Sequence, residues 1–188
     1  EKLSPEQKKV VKHGSEALLV LAGPGTGKTE VLSHRISYLI NERGVDPSQI
    51  LAVTFSRKAA NEMAGRLSKF FGLEEMRVST LHAEALRLLT NVGHERKFLL
   101  DNDETRLLVR DAAQDLGYDC GATALKSLET RIRLIKANNK LPNEVNDASF
   151  RKFYQRYEDL LDFNKAIDLD GLVMRAVRAL SSAGKVPL

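Results

Sequence analysis

Residues 22–29 read AGPGTGKT, between an apolar run, ALLVLA at 17–22, and a stretch at 28–40 whose apolar residues recur at helical spacing. A strand, a glycine-rich turn and a helix in that order form the context a phosphate-binding loop requires. Without Cβ atoms, Gly23, Gly25 and Gly27 let the backbone turn its N–H groups onto phosphate oxygens, and the following helix adds the positive end of its dipole. Lys28 would set its ammonium between the β- and γ-phosphates, and the Thr29 hydroxyl would ligate a nucleotide-borne Mg²⁺, so these two are the candidate catalytic residues. ATP and Mg²⁺ are the expected cofactors. The expected nucleotide contacts are Ala22, Gly23, Pro24, Gly25, Thr26, Gly27, Lys28, Thr29 and Glu30, with Ala22 in place of the first glycine of the strict pattern.

The pattern around the loop is α/β. Apolar runs at 17–22 and 50–55 predict strands, 28–40 and 58–71 predict amphipathic helices, and a weaker strand at 76–79 leads into a helix whose Leu81, Ala85, Leu88, Leu89 and Val92 share a face. Strands separated by helices in this way imply a parallel, helix-covered sheet. From Lys97 onward strand signals vanish and apolar residues recur at helical spacing, as in Leu125, Leu128, Ile132 and Ile135, and again in Leu169, Leu172, Val173 and Ala176. Two domains are expected, residues 1–95 around the loop and residues 96–188 as a helical subdomain.

Composition narrows the setting. The single cysteine, Cys120, rules out an internal disulfide framework, and no apolar stretch approaches the roughly 18 residues that span a bilayer. No membrane association is expected, and a reducing, cytoplasmic compartment fits. The net charge of +4 permits a polyanionic partner without identifying one.

A phosphate-binding loop alone is shared by many ATPases, including the AAA+ class, and the flanking segments discriminate. LSPEQKKVV at 3–11, ILAVTFSRKAANEMAGRL at 50–67 and STLHAEALRLL at 79–89 together resemble the superfamily 1A DNA helicases, the UvrD/Rep/PcrA-like group that serves bacterial repair and replication. The first segment resembles the Q motif, whose glutamine, here Gln7, reads adenine. The second resembles motif Ia, a strand ending in a turn and helix that contact single-stranded DNA. The third resembles the next DNA-contacting motif, with Leu81 where a phenylalanine is usual.

The resemblance implies DNA contacts at Thr54, Phe55, Ser56, Arg57, Lys58, Thr80 and His82: a base stacked on Phe55, phosphates held by the hydroxyls and the helix start. It implies a RecA-like P-loop nucleoside triphosphate hydrolase lobe with a parallel sheet, corresponding to part of domain 1A, and an inserted all-helical subdomain like domain 1B. The partners would be single-stranded DNA, duplex junctions and the remaining helicase lobes (the rest of 1A, 2A and 2B), in a cytoplasmic, nucleoid-associated protein.

Other readings of the same residues stand beside these. Ser4, Pro5 and Gln7 fit the N-cap, N1 and N3 positions of a capping box that needs no ligand. Phe55 could be a core aromatic and His82 a structural residue. Asp168 and Asp170 stand where the family often has an acidic doublet, yet fit the start of a helix. Lys126, Arg131, Arg133, Lys136 and Lys140 could form a duplex-facing patch or a solvated face.

An apolar strand ending in Asp-Glu, which hydrolysis in this family needs, is absent. The one Asp-Glu pair, Asp103-Glu104, reads as the polar opening of a helix. The chain is therefore expected to be a truncated part of an ATP-dependent DNA helicase, poorly active alone. An AAA+ remodelling ATPase and a stand-alone ATP- or DNA-binding module are the rival readings.

Overall fold

The computed structural model of the chain describes residues 3–73, 76–93 and 97–182. They divide into two compact units, one running to Leu81 and one starting at His82. The boundary expected from composition near residue 95 falls where residues 94–96 lie outside the described set.

In the first unit, α1 (Pro5–Val11) opens with Ser4 as N-cap and Gln7 closing a reciprocal capping box. Arg35 of α2 (Lys28–Asn41) donates to Val11 O, the last carbonyl of α1, at 2.8 Å, and to His13 O and, at 2.7 Å, Gly14 O in the segment that follows. That clamp fixes α1 beside α2 and brings Gln7 to the glycine loop.

Strand β1 (Leu51–Thr54), helix α3 (Arg57–Phe71) and strand β2 (Arg77–Thr80) follow as a β-α-β unit, the strands parallel with Leu51 opposite Arg77 and Thr54 opposite Thr80. Helix α3 starts on the Ser56 side chain and stops at Gly72, whose φ of 64° lets the backbone turn left-handed and return its N–H to Leu67 and Ser68. Ile36 of α2, Ala52 of β1, Met63 and Leu67 of α3, and Met76 form the core of this unit.

The sheet is smaller than the sequence pattern implies. Residues 17–22, expected as a strand, are in no ladder among the described residues, and Leu19 and Leu21 are 82% and 86% exposed. An apolar run becomes a strand only when another strand satisfies its backbone, and none lies alongside. Among the described residues this unit contains one two-stranded parallel sheet flanked by helices, which is consistent with an α/β helicase domain but short of a full RecA-like lobe.

The second unit comprises α4 (Leu81–Asn91), β3 (Phe98–Leu99), α5 (Asn102–Asp115), α6 (Ala122–Ala137), α7 (Ala148–Phe163), β4 (Ala166–Ile167) and α8 (Leu169–Ser182). Helix α4 belongs here because its Ala85 and Leu89 pack with Ile167, Leu172 and Ala176. The larger core gathers Val109 and Ala112 of α5, Leu125 and Ile132 of α6, and Phe153, Tyr154 and Tyr157 of α7. The unit is not all-helical: β3 and β4 pair in parallel, Phe98 opposite Ala166. Two residues per strand are too few to leave a signal in the sequence.

Buried polar chemistry concentrates around Lys136, which is 2% exposed. Its ammonium lies 2.6 Å from both Asp168 Oδ2 and Glu158 Oε1, and the Tyr157 hydroxyl donates to the same Asp168 oxygen at 2.5 Å. Burial pushes the Asp168 carboxyl up, but the Lys136 charge with the Tyr157 and Gly171 donors outweighs it and holds the group below the usual carboxylate range. Asp168 also accepts from Gly171 N–H at the start of α8, so it caps that helix as its position suggested. Lys136 is thus withdrawn from the basic face expected on α6. Arg131 and Arg133 of that face pair with Asp147 and Asp170, at 2.6 and 3.5 Å.

Candidate nucleotide and nucleic-acid sites

The loop between residue 22 and α2 has the backbone a phosphate cradle needs. Gly25 and Gly27 sit at φ of 71° and 81°, a region that side-chain-bearing residues avoid. Gly27 is the N-cap of α2, with no side chain to satisfy the first N–H groups of the helix, which leaves them to an anion. A Cβ on Gly27 would stand 3.2 Å from the Gln7 amide nitrogen, so the position is closed to larger residues by contact as well as by φ. The Lys28 ammonium rests on the loop's own carbonyls, Ala22 O at 3.0 Å and Gly23 O, and the Thr26 hydroxyl donates to Gly23 O at 2.8 Å.

A cavity of about 710 Å³ opens over this loop. Gln7, Gly25, Thr26, Gly27, Lys28, Thr29 and Glu30 line it, whereas Ala22, Gly23 and Pro24 do not. Gln7 fulfils its capping role and faces the cavity: its Oε1 accepts from Ser4 N–H at 2.8 Å and its amide donates to Thr26 O at 3.1 Å. The two readings of Gln7 are therefore compatible in space.

Two lining residues escaped the sequence analysis, Leu3 and Arg66. Leu3, an apolar residue immediately ahead of a serine cap, carried a usable signal. Arg66 carried none, because it arrives from α3 to pair with Glu30 across 36 positions of chain. The other Glu30 oxygen lies 3.2 Å from His34 Nε2, and the His34 ring meets Phe71 edge-on at 5.2 Å.

An exposed aromatic and a capped helix stand at the carboxyl end of the small sheet. Phe55 is 100% exposed, so the core reading fails for it. Thr54 Oγ1 donates to Ser56 O at 3.0 Å, and Ser56 Oγ accepts from Ala59 N–H at 3.2 Å, so both hydroxyls shape the turn. Arg57 and Lys58 are exposed, with Lys58 4.0 Å from Glu62. Thr80 is the register partner of Thr54, which brings the ends of the two expected DNA segments side by side, as ligand-binding loops lie in open parallel sheets. Thr80 itself is buried, and His82, in the first turn of α4, is half-buried in the second unit.

Comparison with known proteins fits this arrangement. The profile of the UvrD/REP helicase N-terminal domain matches residues 3–187. The chain belongs to that family. It is 31% identical over 189 residues to the ATP-dependent DNA helicase PcrA of Staphylococcus epidermidis, covering 93% of this chain and 26% of that protein. It is 30% identical over 198 residues to PcrA of Staphylococcus aureus, covering 98% of this chain and 27% of the relative. The UvrD/REP-type chain described here thus spans about a quarter of the length of these curated relatives. Among its described residues no helix is long and apolar enough to cross a membrane, and no cluster of three or more His, Cys, Asp or Glu is arranged to hold a metal ion.

Proposed function

We propose that this chain is the ATP- and single-stranded-DNA-binding part of an ATP-dependent DNA helicase. The observation that carries the reading is the pairing of a glycine-turned anion cradle, backed by the uncapped start of α2, with a fully exposed Phe55 at the carboxyl end of the adjoining β1. The cradle suits a triphosphate. Lys28 would exchange the carbonyls of Ala22 and Gly23 for phosphate oxygens, Thr29 would take the Mg²⁺, and Gln7, one bond from Thr26, would meet the base. Phe55, Ser56, Arg57, Lys58 and Thr54 would track a DNA strand by stacking and phosphate contact, with Thr80 shaping the neighbouring strand end.

In the whole protein, closure of further lobes on the nucleotide would drive these contacts along the strand and part a duplex. This chain supplies the binding half of that cycle, in a part corresponding to part of domain 1A and to 1B, and the acidic residue that lines the cavity beside Thr29, Glu30, is engaged by Arg66 and His34. The direct test is titration with a fluorescent ATP analogue. Wild-type chain is expected to bind it in the presence of Mg²⁺, and Lys28→Ala to lose at least about tenfold in affinity with unchanged circular dichroism, as removal of a charge-assisted phosphate contact implies. Equal binding by the two folded proteins would refute the assignment.

A further inference from the structure

The Glu30–Arg66 pair joins the phosphate loop to the helix that begins at Ser56. Glu30 follows Thr29 directly and lies in the first turn of α2, where the helix dipole favours a carboxylate. The same carboxylate lines the cavity proposed for a triphosphate, where negative charge opposes the ligand. Arg66 neutralises it and lines the cavity too. Its side chain is 39% exposed, so its head can turn without unpacking a core, and Glu30 keeps His34 on its other oxygen when Arg66 leaves. Carboxylate and phosphate compete for the same planar donor fork.

Resting on the reading that this cavity takes ATP, we infer that Arg66 is a nucleotide-responsive positioning residue, paired with Glu30 while the loop is empty and drawn to nucleotide phosphate when it fills. Helix α3 is continuous from Arg57 to Phe71, and Arg66 lies about 13 Å along it from Arg57 at 1.5 Å per residue. Where the new pull on Arg66 displaces α3 itself rather than only turning the side-chain head, the continuous helix carries that displacement to Ser56 and Phe55 at its far end. By linkage, an occupant at Phe55 changes nucleotide affinity by the same factor that nucleotide changes its own.

The test is binding of a non-hydrolysable ATP analogue with Mg²⁺ to the wild-type chain, Arg66→Met, Arg66→Lys and Glu30→Gln, each with and without a saturating thymidylate oligonucleotide. Charge-assisted contacts of this exposure imply that Arg66→Met weakens the analogue by about fivefold to tenfold, that Arg66→Lys recovers part of this, and that Glu30→Gln tightens it by about threefold. Adenosine, which lacks phosphates, should bind all four alike. The thymidylate effect on analogue affinity should be present in wild type and vanish in Arg66→Met. A static salt bridge predicts losses of the same sign from both sides of the pair, so Glu30→Gln weakening the analogue, or Arg66→Met leaving it unchanged, overturns the exchange. A thymidylate effect that survives Arg66→Met, or is missing from wild type, overturns the link through α3. A wild-type chain that binds no analogue, with Lys28→Ala indistinguishable from it, sinks the ATP reading and this inference together.

Discussion

Truncation of Phe55 separates function from folding unusually well. The ring is 100% exposed, so Phe55→Ala removes no buried apolar area, and its effect on stability should stay within about 0.5 kcal/mol. If the ring stacks on a base, that contact contributes about 1 to 3 kcal/mol, and its loss weakens DNA binding about 5- to 150-fold. Because phenylalanine carries no charge, the slope of log affinity against log salt should stay at its wild-type value. Arg57→Ala should instead lower the slope by about 0.7, the single-strand value for one neutralised phosphate. Fluorescence anisotropy of a labelled thymidylate oligonucleotide, repeated across a salt series, reads both quantities, and a thermal melt supplies the folding control. A Phe55→Ala chain that melts like wild type and binds the oligonucleotide within about twofold of it would refute stacking at this position.

Two further substitutions probe the loop and the buried ion network. Gly27→Ala forces a methyl into a φ of 81° and to within 3.2 Å of the Gln7 amide, so it should cost about 1 to 2 kcal/mol and weaken ATP-analogue binding, measured by melting and titration. Lys136→Met takes the cation from the buried Asp168 and leaves Glu158 to Arg175 at 3.7 Å, a loss of about 3 to 5 kcal/mol. For a unit of this size that lowers its melting temperature by more than about 12 °C at neutral pH.

The sign of the pH response at this network follows from Asp168. Its carboxyl is held below its unfolded value in the native chain, so its contribution is present above that value and fades as pH falls through the native one. Without Lys136, burial prevails, the carboxyl rises, and its penalty is relieved by protonation in acid. Wild-type and variant melting curves should therefore converge as pH is lowered; a constant gap would show that charge is not the cause.

Much of the helical framework was legible because its ends carry local chemistry. Ser4 with Gln7 announces the start of α1 and the polar run around Asp103-Glu104 the start of α5, and each closes a capping box, at α5 between Asp101 and Glu104, whereas Ser56, read from the sequence as a phosphate contact, caps α3. β1 and β2 were legible from their apolar runs to within a residue at each end. Residues 17–22 carried an equally clear pattern without forming a strand, since periodicity reports which residues avoid water and says nothing of which backbone lies alongside.

At the candidate sites, contiguous features were readable and distant ones were not. The glycine loop was read from contiguous residues, and Phe55 was singled out by the resemblance of the segment around it. Arg66 beside Glu30 and the burial of Lys136 depend on packing between separate helices, for which helical spacing gives no sign. A lysine on an amphipathic helix is read as solvated until the acidic residues that enclose it, Glu158 and Asp168, are brought to it by α7 and the start of α8.

The bare backbone at residues 17–22 bears on how the neighbouring loop meets its ligand. Helix α2 pins the loop on one side, but on the other the chain enters without a ladder to hold its dihedrals. A nucleotide that tightens this approach must fix those torsions itself. Ordering two such residues, at roughly 1 to 2 kcal/mol each, reduces affinity by about one and a half to three decades. The penalty is entropic, so calorimetry on this chain should find nucleotide binding driven by enthalpy and opposed by entropy. A strand supplied alongside 17–22 would strengthen binding without touching the nucleotide.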